Sequence, residues 1–253
     1  MSLKRHDWRR AFGFICALLS LSCTLRAAEK CPVEVKILLS PPSTQAAVAS
    51  LGFEKETAGR VYFFDTDALD LLKQGLIVRM RQGTSNDLTV KVRLPEGAEQ
   101  GRAAQLQEQF PCEIDRTASG ENISYSVRRK YKPHQVPEMG SDILSQLSPP
   151  QQQLIRNARI SITWSEVRRI ADIKSTNWEA TSHSFRKLSL ELWEWPASNI
   201  LEISAKAGPD AGQSAYSELQ RLVKMKNLSL SSTQGTKTRI VLEALSHPTS
   251  TDR

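Results

Sequence analysis

The sequence predicts an α+β protein: an antiparallel sheet, open or closed into a barrel, with helices packed outside it. Three observations lead there. Short β-branched runs alternate polar and apolar residues with period two along much of the chain. Two of them, Leu76–Arg81 and Leu88–Leu94, are joined by a turn built from Gly83, Ser85, Asn86 and Asp87, which makes a hairpin rather than a crossover. The helical segments are few, and the stretch from Asp210 to Lys226 sets Tyr216, Leu219, Leu222 and Val223 on one stripe.

The elements follow in order. Val33 to Leu39 is a first strand, and Pro41-Pro42-Ser43 opens a helix reaching about Leu51. Arg60 to Phe64 is strand; Asp65-Thr66-Asp67 caps a short helix, Ala68 to Gln74, which Gly75 ends. The hairpin comes next, then a polar loop from Pro95 to Ala104. Glu108–Asp115 and Ile123–Val127 read as strands, and Lys130–Pro137 as a loop. A helix from Ser141 to Ala158 is interrupted at Ser148-Pro149-Pro150, which starts its second part. Strands at Ile160–Ile173, Lys187–Trp193 and Asn199–Ala205 precede the Asp210–Lys226 helix and a last helix at Thr238–Leu245. No linker divides this region, so one domain is expected over residues 29–246, with a disordered tail at 247–253.

Residues 1–28 are expected to be a signal peptide. Lys4, Arg5, Arg9 and Arg10 precede an apolar run, Ala11–Leu21, too short to span a bilayer, and Ala27 and Ala28 offer a cleavage site. An exported product, periplasmic or secreted, follows, with no stable membrane insertion after cleavage. The segment carries four of the chain's seven net positive charges, so the mature chain keeps +3 and nothing at that level calls for nucleic acid. Cys16 and Cys23 leave with it. The remaining pair, Cys31 and Cys112, forms a disulfide in an oxidising compartment or stays as two thiols. His6, His134, His183 and His247 have no ligand spacing, and Glu191 and Glu194, three apart on a strand, face opposite sides. Nothing sets an oligomeric state.

The chemistry lies in the alternation. One face carries Glu34 and Lys36, then Arg79 and Arg81, then Lys91 and Arg93, then Ser189 and Glu191, then Glu202, Ser204 and Lys206. The alternates, among them Val35, Ile37, Val78, Met80, Val90, Val92, Leu190 and Ile203, are apolar. A solvated mixed face is one explanation. If the face lines an interior, each like-charge pair about 6 Å apart costs roughly 3 kcal/mol at an effective dielectric near 20, so carboxylates or a bound anion must compensate. A chain of phosphates fits that need, each charge-assisted hydrogen bond contributing roughly 1.5–3 kcal/mol.

The Glu34-x-Lys36 strand, YFFDTDALDLLKQGLIVRMR from Tyr62, TVKVR ending at Arg93, LSLELW, ILEISAK and a final TKTR together resemble the CYTH superfamily, the triphosphate tunnel enzymes. These include thiamine-triphosphatases, inorganic triphosphatases and class IV adenylyl cyclases. The resemblance implies an eight-stranded antiparallel tunnel that binds triphosphate or polyphosphate with a divalent metal, Mg²⁺ or Mn²⁺. It implies phosphate contacts from Lys36, Arg79, Arg81, Lys91 and Arg93, with Arg168 (or Arg169) and Lys237 placed by order. It implies metal-side carboxylates at Glu34, Glu191 and Glu202, and catalytic roles for Glu34, Lys36 and Glu202. Two acids of the family pattern are replaced here, by Pro32 before Glu34 and by Ser204 after Glu202. The basic half of the pattern is thus fuller than the acidic half. That leaves three readings, a metal-dependent phosphoanhydride hydrolase, a non-catalytic domain binding an anion or a partner, and a barrel whose polar interior is internally paired and binds nothing.

Overall fold

The structure is a computed structural model that describes residues 31–83, 85–94, 100–137, 142–181, 184–185, 187–196 and 198–246. The expected signal peptide, the tail and His183 lie outside the described residues. Nine strands form a closed barrel: β1 (Val33–Leu39), β2 (Lys55–Asp65), β3 (Leu76–Gln82), β4 (Asp87–Arg93), β5 (Cys112–Thr117), β6 (Gly120–Lys130), β7 (Arg168–Ala180), β8 (Leu188–Trp195) and β9 (Ser198–Ala207). Their order around the barrel is β1-β5-β6-β4-β3-β2-β7-β8-β9. The eight antiparallel strands implied by the resemblance are corrected to nine, with one parallel pair, β1 against β5. The parallel pair is forced: strand direction cannot alternate all the way round a ring with an odd number of members. The β1–β5 seam is short, Val33, Glu34 and Val35 pairing with Ile114, Asp115 and Arg116. A disulfide between Cys31 and Cys112 closes its end.

Period two decides which side chains go where. Outward-facing Val78, Met80, Val90 and Val92 pack beneath α3 (Gln100–Gln109) and α4 (Pro149–Asn157), through Leu106, Leu154 and Ile155. Val35, Ile37, Leu190 and Ile203 pack beneath α1 (Thr44–Leu51) and α5 (Gly212–Met225), through Ala47, Ala215, Leu219 and Val223. Three predicted spans shift. Residues 100–109 are helix, with Leu106 fully buried against the sheet, where a loop to Ala104 and a strand from Glu108 are expected; that strand begins at Cys112. The helix predicted from Ser141 starts only at Pro149, where Ser148 and Gln151 form a capping box. β7 begins at Arg168 because Ile160, Ile162 and Trp164 pack on the outer core before the strand starts.

The barrel interior is divided along its axis. At one end the inward side chains Leu38, Val61, Phe63, Ile77, Ile173, Trp193 and Ile200 form an apolar plug. Leu69 just before the short helix α2 (Asp70–Lys73), Leu72 within it, and Val241 and Leu242 of α6 (Lys237–Ser246) pack into it. Gly75 makes the tight entry to β3 here: its φ is +77°, and a Cβ would stand 2.0 Å from the Arg93 carbonyl oxygen. Its own carbonyl accepts the Arg93 N–H at 2.8 Å, which fixes the end of β4. Beyond the plug the interior is charged. Among the described residues, no helix is long and apolar enough to cross a membrane.

Candidate functional site: a charged tunnel interior

Strand register assembles the site. Arg79 pairs across β3–β4 with Thr89, Arg81 with Asp87 and Ile77 with Lys91, so Arg79, Arg81, Lys91 and Arg93 face one interior. β6 and β5 extend the same face, Lys91 lying opposite Ser126, Arg93 opposite Ser124, and Ser124 opposite Glu113. From the other side β1, β9 and β8 bring Lys36 beside Ser204 and Glu202 beside Glu191.

The centre is Asp115, which face assignment of the first strands alone does not reveal. Its carboxylate is buried from solvent and receives Lys36 at 2.5 Å, Lys91 at 2.9 Å and Arg93 at 3.1 Å. Burial pushes its carboxyl upward, but Lys36, Lys91 and Arg93 outweigh that and hold it far below the usual carboxylate range. Lys36 also lies 2.8 Å from Glu34, and its ammonium is raised well above the ordinary value because Glu34 and Asp115 overcome the cost of burial. Lys91 goes the other way: burial lowers it, and the Asp115 carboxylate only partly offsets that. Glu113 sits 3.6 Å from Lys91 and 3.1 Å from Lys206.

A second charged group lies nearer the plug. Lys237, at the start of α6, pairs with Glu191 and stands 2.9 Å from Glu202 and 4.5 Å above the Trp193 ring. Glu191 also accepts hydrogen bonds from the Trp193 indole at 2.7 Å and Ser175 at 3.1 Å, and Arg81 at 3.3 Å. Burial opposes ionisation of Glu191, but Lys237 and Arg81 hold its carboxyl far below normal.

Arg79 is different. It has no ion pair among the described residues, whereas Lys36, Arg81, Lys91, Arg93 and Lys237 each have at least one. Burial and the neighbouring Arg81 push its guanidinium down to about 9. The Nε atoms of Arg79, Arg81 and Arg93 are all buried without a hydrogen-bond partner. Three such donors stand on one wall, where buried donors are usually satisfied.

The residues predicted for the site are therefore mostly brought together, in two groups. Lys36, Lys91, Arg93 and Glu34 surround Asp115, while Arg81, Lys237, Glu191 and Glu202 form the second group. Glu34, Glu191 and Glu202 do not form one carboxylate cluster among the described residues; Glu34 groups with Glu113 and Asp115, whose oxygens all lie within 4.8 Å of one another. Three hard oxygen donors suit Mg²⁺ or Mn²⁺, so the donor set fits a divalent ion, with Lys36 as its immediate competitor. Arg168 does not join the site: its exposed head bonds Asp67 outside the barrel. Arg169 does not join either, lying over the Tyr62 ring on the outer face. Glu113 and Asp115 were missed although CEIDR carries the same two-residue spacing as the pairs that were found.

No family model and no curated protein sequence matches the chain. Solved structures do. A Hippeastrum protein provisionally assigned as an adenylyl cyclase, with a dominant triphosphatase activity, aligns over 83% of this chain and 95% of its own, at 16% identity and a TM-score of 0.60. A Bacillus halodurans protein provisionally assigned as an adenylate cyclase aligns over 84% and 98%, at 15% identity and a TM-score of 0.56. The likeness covers nearly the whole of each neighbour and establishes a shared fold.

Proposed function

We propose that this chain, which has the tunnel fold of the CYTH proteins, binds a triphosphate or polyphosphate anion inside its barrel and hydrolyses the terminal phosphoanhydride. The observation that carries the reading is Arg79, a partly buried guanidinium that makes no salt bridge among the described residues, beside two more arginines with unsatisfied Nε donors. A phosphate chain supplies both the charge and the acceptors they lack. The triphosphatase activity of the Hippeastrum neighbour supports the same ligand class.

In this reading Arg79, Arg81, Lys91 and Arg93 hold non-bridging oxygens, and Lys36 neutralises charge on the phosphoryl group that transfers. Water attacks the terminal phosphorus in line, a new P–O bond forms as the anhydride bond breaks with the shortened phosphate chain as leaving group, and the water proton passes to solvent as orthophosphate is released. Glu34, with Glu113 and Asp115, would hold a divalent ion, and Glu202 supplies a further carboxylate beside Lys36. Such an ion supplies charge neutralisation at the phosphoryl oxygens. The reaction belongs to an exported protein, periplasmic or secreted, consistent with the disulfide at the β1–β5 seam. Scarcity of nucleotides outside the cytoplasm makes cyclisation the least favoured chemistry.

A second reading, binding without turnover, is favoured by one observation. Each acidic group already holds a lysine: Lys36 between Glu34 and Asp115, Lys237 between Glu191 and Glu202. Phosphate release from tripolyphosphate by the mature domain, with and without Mg²⁺ and Mn²⁺, separates the two. Metal-dependent release abolished by Glu34→Gln supports hydrolysis. Thermal stabilisation by tripolyphosphate without release supports binding alone, and neither effect defeats both.

A further inference from the structure

We infer that Lys237 is a resident cation of the barrel, standing where Glu191 and Glu202 would otherwise share a divalent ion, and that Gln234 is the residue that positions it. The inference bears on the metal of the reading above, and it stands whether or not the tunnel takes phosphate. The Lys237 ammonium touches both carboxylates, pairing with Glu191 and lying 2.9 Å from Glu202, and the Trp193 ring covers it at 4.5 Å. Its side chain is only 9% exposed. A lysine in the first turn of a helix is opposed by the helix dipole, so α6 gains nothing from it locally. The two carboxylates account for its place.

The chain just before α6 delivers it. β5 pairs with β1 only through Val33, Glu34 and Val35, so the rest of β1 needs other partners on that side. Residues 229–234 supply them. The Ser40 N–H donates to the Ser229 carbonyl at 2.8 Å, Leu39 forms a bridge with Leu230, and the Ser231 N–H donates to the Leu38 carbonyl at 3.0 Å. Gln234 continues this ladder with its side chain. Its Oε1 accepts the Leu38 N–H at 3.1 Å, and its Nε2 donates to the Leu38 carbonyl at 2.7 Å. Leu38 lies directly opposite Glu202 in the β1–β9 register. The clip therefore lands at the level of Glu202, and Lys237 follows within one helical turn.

Glu191 has no acceptor left to offer. A carboxylate has about four lone-pair sites. Glu191 fills them with the Trp193 indole at 2.7 Å, Ser175 at 3.1 Å, Arg81 at 3.3 Å and Lys237. Glu202 is then the pair's one remaining carboxylate, and the next inward position on β9 is Ser204, whose hydroxyl turns to Glu34 at 3.4 Å. A Mg²⁺ or Mn²⁺ ion, which takes about six oxygen ligands, finds too few there. The other acidic group differs. Glu34 meets Lys36 at 2.8 Å and Ser204 at 3.4 Å, and Glu113 meets Lys206 at 3.1 Å and Lys91 at 3.6 Å, so among the described residues both keep open acceptor sites. The interior thus has a place for a divalent ion at Glu34, Glu113 and Asp115, and its second cation is part of the polypeptide.

The test is Mn²⁺ titration of the mature chain without phosphate, with the free ion followed by electron paramagnetic resonance. Wild type is expected to bind a single Mn²⁺, lost in Glu34→Gln and kept at wild-type affinity in Glu191→Gln. Lys237→Met keeps the stem without the charge and is expected to bind one ion more. Gln234→Met keeps the volume and loses both hydrogen bonds to Leu38, so it should admit the extra ion more weakly, with Lys237 still competing. A purely structural role for Gln234 would lower stability and leave the ion count at the wild-type value, which overturns its assignment as a positioning residue. Two ions in wild type, or weakened Mn²⁺ binding in Glu191→Gln, overturns the inference, and that arm decides even where Lys237→Met does not fold. A folded Lys237→Met chain that binds no more Mn²⁺ than wild type overturns it too. Wild type that binds no Mn²⁺ while Lys237→Met binds one removes the metal from the hydrolysis reading and leaves the resident cation standing.

Discussion

Replacing Arg79 by methionine should stabilise the unliganded protein while removing its response to phosphate. The guanidinium is lowered from 12.5 to about 9, chiefly by burial and then by Arg81. Taken at face value a shift of that size costs the folded state roughly 5 kcal/mol at neutral pH. The side chain keeps some contact with solvent, so we discount the cost to about 2 kcal/mol. Methionine beside Phe63 and Thr89 carries no such cost and retains the stem's packing. Arg79→Met should therefore gain about 1–3 kcal/mol in urea unfolding at pH 7, with an unchanged dependence on urea concentration. Adding tripolyphosphate should stabilise wild type by mass action and the variant much less. The pH dependence has a definite sign. Below pH 9 the residue is protonated folded and unfolded, and its cost is constant. Above pH 9 the unfolded chain binds the extra proton, so wild-type stability gains a rising contribution from this residue that the variant lacks. A variant that is less stable than wild type without phosphate, or equally protected by it, would refute the reasoning.

Three other perturbations test the rest of the interior. Asp115→Asn leaves Lys36, Lys91 and Arg93 without their shared carboxylate and should cost about 3–5 kcal/mol without ligand, with tripolyphosphate recovering more stability than it gives wild type. Paired urea curves with and without tripolyphosphate measure it. Lys237→Met removes the lysine from Glu202 and leaves Glu191 paired, among the described residues, with Arg81 alone; because Glu191 is held ionised far below its normal range, the stability it contributes above about pH 4 is lost on acidification. The variant should begin to unfold at higher pH than wild type in an acid titration followed by circular dichroism. Reducing the Cys31–Cys112 bond opens a loop with a sequence separation of 81 and should cost about 4–5 kcal/mol in the chain-entropy estimate. Melting with and without reductant checks it, and Cys31→Ser/Cys112→Ser should match the reduced protein.

Much of this architecture was legible because period two is a hard constraint. Arg79 with Arg81 and Lys91 with Arg93 had to share a face, and the register places them on one interior. Glu34, Lys36, Glu191 and Glu202 followed by the same rule, yet alternation says nothing about which strands become neighbours. The separation of Glu34 from Glu191 and Glu202 is set by the β1–β9 register, which places Glu34 opposite Lys206 and Leu38 opposite Glu202, with Glu191 beside Glu202 on β8. Asp115 was readable in spacing but had no assigned face until β5 met β1. Arg168 was placed by order alone, and order cannot tell an inward side chain at a strand's start from one bonded outside to Asp67. Helix α3 was hidden because its polar residues dominate, and the single fully buried Leu106 carries its packing.

The most direct test of a phosphate-binding tunnel is titration calorimetry of tripolyphosphate into the mature protein and into Arg79→Ala/Arg81→Ala at two salt concentrations. The account predicts one site in wild type, weakening as salt rises, and no measurable binding in the double variant. Equal binding by both proteins, or none by wild type, would contradict it.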